Sequence, residues 1–271
     1  MKNTNVLNAV KFIKTKERKV IMKDLNIYQL RLEQSLDSKM FFVDKVNLKQ
    51  YDVIVDFGCG TGALLDRLYR EIGDNCILVG YDINADMLIA GRRKNSNIIF
   101  TDNINYVENL VNSSKKSMVI FSTVLHEIGQ EKQKELIKNF MPLFTTVVIR
   151  DMKRPLNNEP ISNLTRKRVL SKVAPWQAQM FESRWGKIRN KENLYRFFLM
   201  NEFVENFETE VEEDYFSTLW SEIMWKLEEK GYSVAYENSY TLPYRRKQVK
   251  KIFFHVMHDI THRELIMIKE N

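Results

Sequence analysis

Val55-Asp56-Phe57-Gly58-Cys59-Gly60-Thr61-Gly62 joins a short β-branched run, Val53 to Phe57, to a stretch with Leu64, Leu65 and Leu68 at helical spacing. Glycines at such a strand-to-helix junction permit a tight turn and bring the backbone close to a ligand. The first turn of the helix adds unpaired N–H groups. Gly58-x-Gly60-x-x-Ala63 also fits the loose dinucleotide fingerprint, which alone is a weak signal. Two details tilt away from a nicotinamide dinucleotide. Asp56 stands two residues before the first glycine, where a carboxylate repels a pyrophosphate and suits a cationic or amino-bearing ligand. The third glycine is Gly62, giving GxGxG in place of GxGxxG. Asp82 follows 20 residues after Gly62. At the end of a second strand, such a carboxylate accepts both ribose hydroxyls, a feature that NAD and other nucleosides share.

Outward from this loop, apolar runs alternate with helical stretches. Ile77 to Asp82, Asn97 to Thr101, Met118 to Ser122 and Thr146 to Arg150 read as strands. Asn84 is placed to cap the helix holding Met87, Leu88 and Ala90. The alternation predicts a parallel sheet with helices on both faces. It breaks after residue 151. Residues 152–230 read as helical and aromatic and hold all four tryptophans, and the strand pattern returns at Tyr232 to Tyr240 and Glu264 to Ile268. The expected organisation is an N-terminal helical cap (1–50), a Rossmann-like α/β core (51–151), a helical insertion or lid (152–230) and two last strands (231–271).

On the glycine loop and its acids, residues 51–151 resemble the class I S-adenosylmethionine-dependent methyltransferases. The resemblance implies a seven-stranded, mostly parallel sheet with an antiparallel last strand, and S-adenosyl-L-methionine as cofactor. Asp56, Gly58, Cys59, Gly60 and Gly62 would line the methionine end. Asp82 would hold the ribose, Asp102 would contact the adenine amine, and Ile83 and Asn103 would flank the ring. Ser122, at the end of the fourth strand, joins this set. For Asp102 a helix N-cap is the structural alternative, and both can hold at once. The chain departs from several relatives. Its fourth strand lacks Asn/Asp-Pro-Pro-Tyr/Phe, it has no Pro-Cys pair, and Met141-Pro142-Leu143-Phe144 replaces the usual Pro-Gly-Gly turn. The motifs therefore narrow the cofactor and leave the acceptor open.

The carboxyl ends of parallel strands face the ligand crevice. Leu125-His126-Glu127 follows the fourth strand, and Arg150-Asp151 ends the fifth. This pairing resembles a subgroup of bacterial and phage-type methyltransferase-like proteins, with weaker likeness at Glu210 to Tyr215 and Thr261-His262-Arg263. His126 has a suitable ordinary pKa of ~6.5 for a base. Glu127 is a candidate to orient it, and Asp151 to accept a proton or bind an acceptor amine. The competing reading makes His126 a cap and Arg150–Asp151 a structural ion pair. His255, His258 and His262 tempt a zinc reading, but turn and strand character interrupts them and no fourth ligand is evident. A structural role is the expectation, with no metal.

Tyr215, Glu210 and Glu213 are second candidates for an acceptor wall. Trp176, Arg184, Trp185, Arg189 and Tyr195 interleave base with aromatic, as single-strand binders do.

Among 271 residues, 44% are hydrophobic and 28% charged, and mean hydropathy is −0.38. That composition is globular. Two cysteines are too few for a disulfide framework. No run approaches the ~18 apolar residues of a membrane span, so a cytoplasmic location is expected. The net charge is +7. Residues 1–50 and 156–200 are each +6, residues 201–214 carry seven acids and no base, and residues 245–251 carry five bases. Such patches attract phosphates, or are simply solvated surface. The reading is a methyltransferase acting on a nucleic acid (RNA foremost) or a small molecule. The alternatives are a non-catalytic cofactor-binding partner subunit and an NAD-dependent oxidoreductase.

Overall fold

The computed structural model describes residues 35–201, 207–258 and 260–270. The apolar stripe at Asn26 to Leu32, and most of the N-terminal cap, lie outside them.

The strands are β1 (Val53–Phe57), β2 (Ile77–Tyr81), β3 (Ile99–Thr101), β4 (Ser117–Ser122), β5 (Thr146–Met152), β6 (Tyr232–Tyr240) and β7 (His262–Lys269). They form one seven-stranded sheet in the order β3-β2-β1-β4-β5-β7-β6. β1 pairs in parallel with β2 and β4, β2 with β3, and β4 with β5. β7 runs against β5, since Lys269 N–H near its end reaches Thr145 O and Thr261 O near its start accepts from Lys153 N–H. The expected Rossmann-like sheet is therefore present, with its antiparallel last strand.

Every residue of β1, β4 and β5 is buried. That is why these strands read as unbroken apolar runs: both faces of a parallel sheet are covered. Period-two geometry divides them between two cores. Val53, Val55, Phe57, Val119 and Phe121 pack on one face, while Ile54, Met118 and Ile120 pack on the other. Each fully buried side chain of this kind contributes roughly 1.5–3 kcal/mol.

The helices between strands are α1 (Ala63–Ile72), α2 (Ala85–Lys94), α3 (Ile104–Asn112) and α4 (Gln130–Glu135), the last continued by a π turn to Phe140. Asn84 Oδ1 accepts from the N–H groups of Asp86 and Met87, capping α2 as its residue type predicts. The chain before β1 packs Phe42, Leu48 and Tyr51 onto the second face, and the Tyr51 hydroxyl meets Thr146 Oγ1 at 2.9 Å.

The chain divides into two compact units. The sheet unit runs to Asp151 and resumes at Leu219–Glu237 and Glu264–Asn271. It includes α9 (Trp220–Glu228), whose Trp220, Ile223 and Leu227 join the first core. The helical unit comprises Met152–Thr218 and Asn238–Arg263. Its helices are α5 (Asn163–Leu170), α6 (Pro175–Trp185), α7 (Lys191–Met200), α8 (Phe207–Glu210) and α10 (Pro243–Phe253). Phe181, Phe197, Phe198 and Phe207 pack there with Phe253. So the helical unit takes a second segment from between β6 and β7, which sequence had read only as the last two strands.

Within the helical unit the aromatic residues mostly serve the core. Tyr195 and Tyr215 are buried, and Tyr215 donates to Glu210. Trp185 donates to Val211 O and lies under the guanidinium of Arg196, 4.0 Å from its ring centroid. Arg196 also pairs with Asp214, and Arg184 with Glu212, so part of the acidic run meets part of the basic segment. The interleaved bases and aromatics thus form internal contacts, and of that set only Trp176 is a strongly exposed ring.

Candidate functional site

The loop after β1 turns through left-handed backbone at Gly58 (φ +77) and Gly62 (φ +75). A Cβ at Gly58 would meet Val124 at 2.4 Å, and one at Gly62 would meet the Phe100 ring at 2.5 Å. Packing within the protein therefore demands both glycines, quite apart from any ligand. Gly58 and Cys59 donate their N–H groups to Tyr81 O, which lashes the loop to the end of β2.

Asp82, next in the chain, completes the tie. Its Oδ2 accepts Gly60 N–H at 2.8 Å and its Oδ1 accepts Asn84 N–H at 2.9 Å. One carboxylate thus fixes the glycine loop and the start of α2, with lone pairs left on both oxygens. Ile83 beside it is exposed.

At the end of β3, Asp102 and Asn103 are both exposed. The Asn103 side chain accepts from Asn105 and Tyr106 N–H, so Asn103, not Asp102, is the cap of α3. Cys59 is buried, its thiol reaches Gly60 O, and burial pushes its pKa strongly upward. It fills space and is no nucleophile.

Asp56, in β1, is 4% exposed. Burial pushes its carboxyl up to about 7; Lys39 opposes the shift and Asp82 adds to it. Ser122 Oγ is buried with no hydrogen-bond partner among the described residues. A buried acid and an orphaned hydroxyl at the ends of neighbouring strands are groups that a polar ligand satisfies.

The second cluster lies at the ends of β4 and β5. Thr123 adopts φ +57, and its N–H donates to Arg150 O at 2.7 Å. This sharp reversal feeds a 3₁₀ turn, Leu125–Glu127. Gln133, fully buried in α4, donates Nε2–H to Leu125 O and Ile128 O and accepts Leu219 N–H. That one amide holds the turn on both sides. His126 Nδ1 lies 2.7 Å from Asp151 Oδ1, and His126 N–H donates to Asp151 Oδ2 at 3.1 Å. Both residues are buried, whereas Glu127 is exposed.

So the structure brings His126 and Asp151 together, and ties Gly60 to Asp82. Sequence reasoning passed over two contributors, Gln133 and Lys39. Gln133 looks like surface in Gln130-Glu131-Lys132-Gln133-Lys134-Glu135. Arg150, 2% exposed, donates to Ser38 Oγ at 3.0 Å. Lys39, next to Ser38, has its ammonium pushed down to about 8 by burial and by Arg150, against the pull of Asp56, Glu127 and Asp151.

The three distal histidines do separate jobs. His255 faces the Phe198 ring, His258 N–H donates to the Tyr195 hydroxyl, and His262 Nδ1 meets Thr261 Oγ1.

Residues 54–145 match the family model of the methyltransferase domain. Those residues are thus similar to the methyltransferase domain. A stretch of 70 residues of this chain is 36% identical to the ubiquinone/menaquinone biosynthesis C-methyltransferase UbiE of Pectobacterium atrosepticum. The same protein of Escherichia fergusonii is 34% identical over 70 residues. These matches span 26% of this chain and 28% of the curated relatives. Among solved structures, the plantazolicin methyltransferase BamL, in complex with a triazolic desmethylPZN analog and SAH, covers 98% of this chain and 96% of its own, with TM-score 0.52 and 12% identity. That likeness supports the methyltransferase fold over the chain's length.

Proposed function

We propose that this chain transfers a methyl group from S-adenosylmethionine to a small organic acceptor. The observation that carries the reading is the pairing of His126 with Asp151 at the strand ends of a methyltransferase domain whose Asp82 already fixes the glycine loop. The cofactor supplies a methyl group already activated on a sulfonium. Asp82 is placed to accept the ribose hydroxyls, Asp102 the adenine amine, with Ile83 against the ring; Asp56, Gly60 and Ser122 face the methionine end. The Asn103 amide, already a helix cap, is the least available of the expected set.

The protein's remaining task is to position the acceptor and remove its proton. With Nδ1–H given to Asp151, His126 would take the proton through its other ring nitrogen. Asp151 fixes the ring and stabilises the imidazolium that results. Glu127, exposed beside them, is placed to orient the acceptor. The 70-residue match to quinone C-methyltransferases favours a small acceptor with an acidic hydroxyl or ring carbon.

Titration calorimetry with S-adenosylmethionine, S-adenosylhomocysteine and NAD tests the cofactor. Micromolar binding of the first two and none of NAD is expected. Binding of NAD alone would replace this reading with an oxidoreductase. Failure of all small hydroxylated acceptors to yield S-adenosylhomocysteine would leave a binding subunit.

A nucleic-acid acceptor is the second reading. One observation favours it: Lys247, Lys250 and Lys251 line a groove of about 460 Å³ with Phe254 and Val256. Turnover on RNA that falls steeply with salt would select it.

A further inference from the structure

We infer that Gln133 is a positioning residue for His126: its buried amide sets where the imidazole stands at the strand ends. The inference rests on the reading of His126 as the base and extends it to α4.

The turn that carries His126 begins under strain. Thr123 is β-branched and stands at φ +57, in backbone that such residues rarely adopt. Strain of this kind persists only where the surroundings over-determine it. Here they do so from two sides. On the strand side, Arg150 O accepts Thr123 N–H at 2.7 Å, and Asp151 takes His126 N–H at 3.1 Å and Nδ1 at 2.7 Å. On the helix side, Gln133 donates Nε2–H to Leu125 O at 2.9 Å and to Ile128 O at 2.8 Å. Those two carbonyls bracket His126, so its ring hangs between the amide's two holds.

The partners leave the amide one orientation. A carbonyl only accepts, so the pair of them calls for the NH₂ end. Leu219 N–H only donates, and it reaches Oε1 at 3.0 Å. Gln133 is fully buried, and is the buried residue of the six-residue α4. Each partner it lost would therefore be left in a site withdrawn from water, where unpaired polar groups are costly. An apolar side chain would fill the same space. What only the amide adds is direction, and a fully satisfied buried polar network rigidifies what it holds. Asp151 thus fixes the ring's rotation, while Gln133 fixes the backbone from which the ring projects.

Two substitutions in the full chain test this. Gln133→Leu keeps the bulk and removes the amide. It is expected to lower kcat about 10- to 100-fold while leaving KM and S-adenosylhomocysteine affinity within about threefold. Its Tm should fall as well, so a second change separates position from stability. Thr123→Gly removes the left-handed strain. Added to Gln133→Leu, it should raise Tm again without returning kcat, and it covers the case of a single variant too unstable to purify. The ring gives a further reading that needs no acceptor. In protein with histidine selectively labelled for NMR, the buried Nδ1–H held by Asp151 gives a resonance that His126→Ala removes. In Gln133→Leu that resonance should move or broaden. If kcat returns together with Tm in the double variant, Gln133 serves stability alone and the inference falls. It falls equally if the resonance in Gln133→Leu matches the wild type. Should the wild-type protein turn over no acceptor, the methyltransferase reading falls, and the His126 resonance still decides whether Gln133 places the ring.

Discussion

Asp151 gives one carboxylate oxygen to the imidazole of His126, at 2.7 Å, and the other to the same residue's backbone N–H, at 3.1 Å. The acid therefore sets both the ring and the turn that carries it. His126→Ala is expected to lower kcat about 10²–10⁴-fold while leaving S-adenosylhomocysteine affinity within about threefold. Asp151→Asn should fall between the wild type and that variant, because an amide keeps the turn but not the charge. Single-turnover rates beside calorimetric affinities make the comparison. Full turnover by His126→Ala at saturating acceptor would remove the base from the mechanism.

Asp82 is tied to two backbone N–H groups before any ligand is considered. Replacing it by alanine therefore costs the loop its anchor as well as the cofactor its ribose contact. Hydrogen bonds to a charged group contribute about 1.5–3 kcal/mol, so a loss of at least tenfold in S-adenosylmethionine affinity is expected, with a lowered Tm. Affinity that survives Asp82→Ala would place the ribose elsewhere.

Gly62 sits at φ +75 with the Phe100 ring 2.5 Å from where a Cβ would stand. Gly62→Ala is expected to destabilise by about 2–4 kcal/mol, combining overpacking with left-handed strain. Urea unfolding measures it. Adding Phe100→Leu should return part of the loss but not the backbone component. A Gly62→Ala protein as stable as the wild type would contradict the described packing.

The pH dependence follows from Asp56 and Lys39. The folded Asp56 carboxyl is raised, so as pH climbs from about 4 to 7 the unfolded chain gives up its proton first and stability falls. Asp56→Asn removes that penalty. It should raise Tm at pH 8 by about 3 °C or more, leave Tm near its wild-type value at pH 4, and weaken cofactor binding. Lys39 is lowered, so its cation is lost as pH passes about 8. Differential scanning calorimetry and titration across pH 4–9 read both effects.

The sheet was legible because β1, β4 and β5 are buried on both faces and so read as plain apolar runs. The glycine loop and Asp82 were legible because backbone geometry and carboxylate spacing leave a local trace. His126 and Asp151 lie 25 residues apart in sequence. Their placement followed from the rule that strand ends share a crevice, but nothing local revealed their hydrogen bond. Gln133 escaped because its neighbours are all charged, and a buried amide on such a helix has no periodic signature. Lys39 escaped because its charged surroundings, Arg150 among them, come from residues far along the chain, as the Arg150–Ser38 contact across 112 residues shows. Asn103 caps α3, a local use that Asn at a helix start has for its amide. Tyr215, a candidate for an acceptor wall, is buried in the core of the helical unit.

The helical unit is assembled from two pieces of chain, Met152–Thr218 and Asn238–Arg263. Phe253 and Met257 of the later piece complete a core begun by Phe181 and Phe197 of the earlier one. The sheet likewise waits for β7, which enters between β5 and β6. During synthesis neither unit can close until the ribosome has delivered residues 238–269. A nascent chain stalled before them exposes two unfinished apolar surfaces at once, the condition under which growing polypeptides engage chaperones or aggregate.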